Sequence, residues 1–310
     1  MRLAMFGQAA FGREVAERLE AAGHEIVGVW TPPDSGRPDP LATLAEDRGW
    51  PVFRHKAFRR RGEPIAERVE EYRALEPDLN VLAFVTAILP PCMADFPEHG
   101  SICFHPSLLP AYRGGAALSW QIILGARESG VSVFRVTDDV DHGPLVVQRG
   151  GVEIAPDDTM ASLYFDKLYP LGVEAMVEAV AAIAEGRAAE SPQGGDGASF
   201  QGLVDDGVAR IDWSRPAEEI ERLIRGCDPA PGALARLGDE DVRLYGGGLA
   251  HPETTAAMNG AAPGTLLGVR DGALEIATGA GAVRVGKLRR PGAGKVGAAD
   301  AGLPDGTRFA

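Results

Sequence analysis

The stretch Ser101-Ile-Cys-Phe-His105-Pro-Ser-Leu-Leu-Pro110, taken together with Asp141, decides how this chain is read. An apolar run carries one histidine to its end, and a proline-flanked turn follows it. A second apolar run, residues 131–136, leads into the acidic segment Thr137-Asp-Asp-Val-Asp141-His-Gly143. Two strands ending in a His and an Asp are expected to build an acid/base site at the carboxyl edge of an α/β sheet.

Working outward, residues 2–6 read as a first strand, 11–22 as an amphipathic helix and 25–31 as a second strand. This β-α-β unit opens a parallel sheet. Helices are expected over 41–48, 65–75 and 116–126, and a short extended piece at 51–53. The apolar run 79–86 reads as a buried parallel strand. Residues 158–185 have helical spacing, with Pro170 placed to kink or divide the helix. The composition then turns Pro/Gly-rich, and residues 190–198 look like a linker. Beyond it, short strand candidates at 242–245, 264–269, 274–277 and 283–288 suggest a small β-barrel-like second domain. The partition expected is a catalytic domain over 1–204 and a C-terminal domain over 205–310.

The 310 residues are 45% apolar and 24% charged, as in a soluble globular protein with a sizeable core. Cys92, Cys103 and Cys227 are odd in number and widely spaced, which points to a reducing, cytoplasmic setting and not to a disulfide framework. None of them has metal-ligand spacing, so no metal is expected. The N-terminus is too short in apolar residues for a signal peptide, and no segment approaches a membrane span. A net charge of −13 argues against broad contact with a phosphate backbone.

Gly7-Gln-Ala-Ala-Phe-Gly12 sits where a dinucleotide fingerprint would, but its spacing is wrong and no acidic residue closes the second strand. A tight strand-to-helix turn is the preferred reading. His105 is a candidate for polarising a carbonyl or shuttling a proton, against the bland role of a satisfied structural histidine. Asp138, Asp139 and Asp141 are each placed to partner it, and the residues alone do not choose among them. His142 reads as a turn residue, and Arg113 as a structural cap of its loop before an anion contact. The basic cluster Lys287, Arg289, Arg290 and Lys295 reads as a solvated edge strand before a nucleic-acid surface.

Several motifs together resemble the formyltetrahydrofolate-using formyltransferase family. They are Gly7-Gln-x-x-Phe-Gly12, Asp39-Pro-Leu41, Pro51-Val-Phe53, His105-Pro-Ser-Leu-Leu-Pro110, Arg113-Gly114 and Val140-Asp-x-Gly143. Within the family, the amino-terminal hydrolase domain of 10-formyltetrahydrofolate dehydrogenases is most similar, ahead of methionyl-tRNA formyltransferases. The resemblance implies a Rossmann-like folate domain followed by an oligonucleotide/oligosaccharide-barrel (OB)-like domain. It implies that the backbone of Ala87, Ile88 and Leu89 holds the pteridine, and it selects Asp141 as the partner of His105. It implies 10-formyltetrahydrofolate as formyl donor. No dehydrogenase domain follows residue 310, so no NADP site is expected.

One position departs from the pattern. Formyltransferases of this family carry Asn-x-His, the asparagine amide donating to the formyl oxygen; here Cys103 stands in its place. A thiol is a weak donor. Loss of an oxyanion donor costs about 10²–10³ in rate. Cys103 therefore shifts the expected activity toward hydrolase-like formyl release, giving tetrahydrofolate and formate. A nucleophilic thiol is the lesser reading beside a small buried apolar residue. The expected mechanism has protonated His105 polarising the formyl oxygen while Asp141 orients water or an amine. Alternatives are transfer to an amine, whether a nucleotide sugar, an amino acid derivative or, less favoured, tRNA, and a folate-binding module without catalysis.

Overall fold

The structure is a computed structural model and describes residues 1–256, 258 and 260–310. Its strands begin with β1 (Arg2–Gly7), β2 (Glu25–Thr31) and β3 (Val52–Arg54). A minimal hairpin follows, β4 (Arg59–Arg60) and β5 (Glu63–Pro64), and then β6 (Leu79–Ala83), β7 (Ser101–His105), β8 (Glu128–Arg135) and β9 (Leu145–Glu153). Seven of these form one sheet in the order β3-β2-β1-β6-β7-β8-β9. The strands from β3 to β7 are mutually parallel. The order reverses between β1 and β6, the switch point at which doubly wound sheets open a crevice at their carboxyl ends. This is the Rossmann-like arrangement the sequence implies.

Alternation along the strands sets the layers. Ala4 and Phe6 of β1 join Trp30, Leu82 and the helix residues Val69, Tyr72, Met93 and Ala94 in one buried cluster. Those helix residues belong to α3 (Ala66–Arg73) and α4 (Pro91–Ala94), which follow α1 (Ala9–Ala21) and α2 (Pro40–Arg48) in the chain. Helix α1 buries Phe11, Val15, Ala16 and Leu19, the apolar stripe expected from its period. A Cβ at Gly7 would lie 2.3 Å from the Ala83 carbonyl oxygen, so the first glycine is required for the close approach of β1 and β6. The Ala9 N–H donates to Asp39 Oδ2 at 2.7 Å, while Asp39 Oδ1 caps α2 at Leu41 N. The Gly7–Gly12 turn is thus tied by a carboxylate at the amide a dinucleotide phosphate would use, in keeping with the structural reading of that motif.

A buried polar network anchors α4. Asn80 is fully buried; its amide donates to the Met93 carbonyl and the Ser101 hydroxyl, both at 2.9 Å, and its carbonyl accepts from the Tyr72 hydroxyl at 2.7 Å. Changing Asn80 to leucine strands these partners without water. We expect a loss of about 2–3 kcal/mol, measured as a lowered urea midpoint at unchanged slope. A loss below about 0.5 kcal/mol, the scatter of surface substitutions, would show that the network is not needed for the fold.

The second apolar run corrects an expectation. Strand β8 runs antiparallel to β7, with Ile102 opposite Arg135 and His105 opposite Ser132. Its carboxyl end lies at the start of β7, where Val136 N–H donates to the Ser101 carbonyl. The acidic segment does not follow a strand end beside His105; it travels back along the sheet. The excursion is closed at its base: Arg135 N–H donates to the Pro144 carbonyl at 2.8 Å, and a Cβ at Gly143 would lie 1.7 Å from the Arg135 oxygen. Only glycine fits at position 143.

Residues 158–185 are divided near Pro170 as expected: a short helix Met160–Ser162, a π-helical stretch Leu163–Leu168 and a helix Tyr169–Ala184. By compactness the chain falls into two units. The first holds Met1–Gly115, Gly130–Val152 and Lys167–Phe200; the second holds Ala116–Ser129, Glu153–Asp166 and Gln201–Ala310.

The second unit contains β10 (Ala233–Leu237), β11 (Glu240–Leu249), β12 (Leu266–Arg270), β13 (Ala273–Ala277), β14 (Ala282–Arg289) and β15 (Val296–Gly297). The antiparallel order is β10-β11-β14-β13-β12, with β15 on β14. The chain's last residues bridge the two edges: Arg308 pairs with Thr265 beside β12, and Phe309 pairs with Leu237 of β10. That closes the sheet on itself around Ile211, Trp213, Leu244, Ile276 and Phe309. Strand β14 lies between β11 and β13, so the basic cluster is not on an edge strand as expected. Its charges are partly engaged: Arg290 pairs with Glu240, and Lys295 lies 3.7 Å from the Tyr245 ring centre.

Candidate active site

Period-2 alternation puts Cys103 and His105 on one face of β7. The turn after them is pinned from β8: Ser132 Oγ donates to the Ser107 carbonyl at 2.7 Å and accepts from Leu109 N–H at 3.2 Å. His105 is buried, at 6% exposure. Its Nε2 lies 2.8 Å from the Tyr112 carbonyl, which only accepts, so Nε2 carries a hydrogen and Nδ1 is the free nitrogen of the neutral ring. Nδ1 lies 3.5 Å from Asp141 Oδ2.

Asp141 reaches this position with a left-handed backbone, φ 54°. Its Oδ2 accepts from Gly114 N–H at 2.7 Å, which gives the Arg113-Gly114 motif a definite role for its glycine. Of the three aspartates in the segment, Asp141 is partly buried beside the ring while Asp138 and Asp139 are exposed. His142 is exposed.

Burial pushes the His105 imidazole below its ordinary value; the Asp141 carboxylate and the Tyr112 carbonyl oppose that shift without reversing it. Burial therefore favours the neutral ring at neutral pH, so the protonated form of the expected mechanism would arise during the reaction. Desolvation, with Asp141 as a second cause, pushes the Cys103 thiol well above the ordinary range. It stays protonated and donates weakly to the Phe104 carbonyl at 3.5 Å. A thiolate nucleophile is not what this environment supports.

The loop after β6 leaves the strand through Phe84, whose φ is +64°. Ala87 lines a cavity of about 20 Å³, room for one water, at the switch point between Gly7, Gln8, Trp30, Thr31 and Phe84. Ile88 and Leu89 line a larger one of about 260 Å³, faced by Val136, Thr137 and Asp138 from the returning loop. Ile88 is 65% exposed and Leu89 only 5%, so the loop offers an apolar rim over an anchored floor. The Leu89 carbonyl accepts from Arg59 at 3.3 Å. The structure thus distributes the three loop residues over two cavities, and Val136, Thr137 and Arg59 line the second without having been assigned to the site from sequence. The segment beginning at Arg59 stands out in the sequence only as part of the likeness to the dehydrogenases. Among the described residues no group of three or more His, Cys, Asp or Glu side chains is placed to hold a metal ion. Nor, among the described residues, is any helix long and apolar enough to cross a membrane.

The site therefore consists of a buried histidine at the carboxyl end of β7 with a carboxylate 3.5 Å away, and the loop after β6 carries an apolar-rimmed cavity. Comparison with known proteins identifies the family. The formyl transferase profile matches residues 1–180, and the formyl transferase C-terminal domain profile matches residues 204–302. The chain belongs to the formyl transferase family. It is 44% identical over 250 residues to the mitochondrial 10-formyltetrahydrofolate dehydrogenase of Mus musculus, covering 80% of this chain and 27% of that protein. It therefore spans about a quarter of the length of the dehydrogenases it matches. It is 35% identical over 320 residues to the methionyl-tRNA formyltransferase of Roseobacter denitrificans, covering 100% of this chain and 99% of that one. HypX from Aquifex aeolicus, solved in complex with tetrahydrofolic acid, shares the fold: TM-score 0.70 at 21% identity, over 97% of this chain and 46% of HypX.

Proposed function

We propose that this protein releases the formyl group of N10-formyltetrahydrofolate in a hydrolase-like reaction giving tetrahydrofolate and formate. The observation that carries the reading is His105 on β7 with Asp141 3.5 Å away on the loop after β8, where the strand's expected amide donor is replaced by a protonated thiol at Cys103. With no amide donor at this position to meet the formyl oxygen, acid/base handling of water becomes the main contribution the site makes. The likeness to 10-formyltetrahydrofolate dehydrogenases over 250 residues supports the same reading.

In this mechanism the folate enters over Ala87, Ile88 and Leu89, whose backbone and apolar rim hold the pteridine. Asp141 orients a water at the formyl carbon. The neutral His105 takes the water's proton at Nδ1 as the C–O bond forms, and the imidazolium is stabilised by the Asp141 carboxylate. It then gives that proton to N10 as the C–N bond breaks, leaving tetrahydrofolate and formic acid, which releases the water's second proton to solvent as formate. We place the catalytic domain at residues 1–204 and the OB-like domain at 205–310, in a cytoplasmic protein that uses no metal and no NADP.

Transfer to an amine is the second reading, favoured by the full-length match to a methionyl-tRNA formyltransferase. Purified protein is incubated with 10-formyltetrahydrofolate, with and without candidate amines, and formate is followed against formyl-amine. Stoichiometric formate, unchanged by the amines, is the expected result. Formyl-amine at the expense of formate would overturn hydrolysis, and tight folate binding with neither product would leave a binding module.

A further inference from the structure

The stretch after the long helix reads as a linker, yet it is bonded to both loops that carry the proposed acid/base pair. Ser191 exchanges two backbone hydrogen bonds with Leu145, at 2.8 and 2.9 Å. Ser199 Oγ accepts from Tyr112 N–H at 2.8 Å, and its carbonyl accepts from Arg113 N–H at 3.0 Å. Tyr112 is the residue whose carbonyl fixes the His105 tautomer.

Between these two points stands Gln193. Its amide nitrogen donates to the Asp141 carbonyl at 2.9 Å and to the Gly143 carbonyl at 2.8 Å. Its amide oxygen accepts from Arg113 Nε at 3.2 Å and from a terminal Arg113 nitrogen at 2.8 Å. Both halves of one side-chain amide are therefore spent, one on the Asp141 loop and one on the His105 loop. The Asp141 backbone it grips is in the left-handed region, which costs a non-glycine residue free energy and persists only when neighbours hold it.

The residue type is informative. An arginine partner alone is better served by glutamate, which would form a charge-assisted fork. Glutamate, however, would turn an acceptor oxygen against two carbonyl oxygens. Glutamine is the side chain that satisfies both sides.

We propose that Gln193 is a positioning residue for the formyl site, holding the Asp141 loop against the His105 ring and so setting kcat without touching the folate. This rests on the reading of Asp141 and His105 as the acting pair. Five variants of the full chain test it: Gln193→Ala, Gln193→Glu, Asp141→Asn, and each Gln193 substitution in the Asp141→Asn background, with thermal unfolding confirming that they are folded. The expected result is a kcat for formate release lowered about 10- to 100-fold in both single Gln193 variants, because a displacement of about 1 Å is felt on that scale. The dissociation constant for tetrahydrofolate should stay within about threefold, far below the change in kcat.

In the Asp141→Asn background, measured in single turnover, neither substitution should lower the rate further, since residues acting as a unit are not additive. A Gln193→Glu rate equal to or above that of the unchanged protein would show that the strap to Arg113 is what matters and would overturn the proposal. Equal losses in both backgrounds would overturn it as well. Asp141→Asn turning over at the unchanged rate would instead remove the parent reading, a result separate from any effect at Gln193.

Discussion

Changing His105 to alanine lowers tetrahydrofolate release from 10-formyltetrahydrofolate by about 10³-fold, while folate binding changes little. General acid/base groups contribute about 10²–10⁴-fold, and His105 serves both as base toward water and as acid toward N10. The ring meets the geometric conditions for that task. One nitrogen is fixed on the Tyr112 carbonyl and the other faces the carboxylate at 3.5 Å. The pH dependence carries a sign. Desolvation favours the neutral ring in the fold, so its pKa lies below 6.5. The working base is present above that lowered value and is lost as pH falls through it. The rate constant is therefore level as pH falls past 6.5 and drops only further into acid, and the alanine variant lacks that limb.

Stability follows the same logic. Below 6.5 the unfolded chain takes up a proton that the native ring resists, so native stability declines from 6.5 down to the lowered pKa, with no His105 contribution to the slope above it. A rate within tenfold of the unchanged protein in the alanine variant, or an inflection above 6.5 that disappears with the histidine, would remove His105 from this role.

The sequence carried the site further than its geometry. His105, the proline-flanked turn and the apolar strands 2–6, 25–31 and 79–86, the last ending already at Ala83, are legible because each is a local signal: a buried strand is a short apolar run, and a proline fixes its own backbone. The long helix was divided at Pro170 for the same reason. What was not legible is relational. Nothing within residues 131–136 states that β8 pairs antiparallel to β7, because direction is set by the partner. The path of the acidic loop back to His105 therefore appeared only with the structure, and with it the need for glycine at position 143. Strand β9 escaped because Gln148, Arg149, Gly150 and Gly151 break its alternation, as the end of a sheet permits. Gln193 escaped because its neighbours are those of a linker, while its partners lie 50 to 80 residues away.

Changing Cys103 to asparagine raises the rate of formyl release by as much as about 10², and opens transfer to added amines. Removing one oxyanion donor costs about 10²–10³, and restoring one is expected to recover a large part of that when the strand already aims the side chain. Cys103 is so aimed, because it shares the face of β7 with His105 and keeps some exposed surface. Its own thiol is spent weakly on the Phe104 carbonyl at 3.5 Å and is held protonated by burial and the nearby Asp141 carboxylate. Cys103→Ala is then expected to leave the rate within about threefold, since a weak donor turned elsewhere contributes little. The cost falls on stability. The position packs against the cluster containing Leu82, Leu89 and Met93, and an amide there without a bound substrate costs about 1–3 kcal/mol. A formate assay on both variants decides between the roles open to this residue. Loss of activity in Cys103→Ala would show a thiol engaged in the chemistry. A tenfold or greater loss in Cys103→Asn would show that the pocket is shaped against an amide, and that the hydrolytic reaction does not draw on a donor at this position.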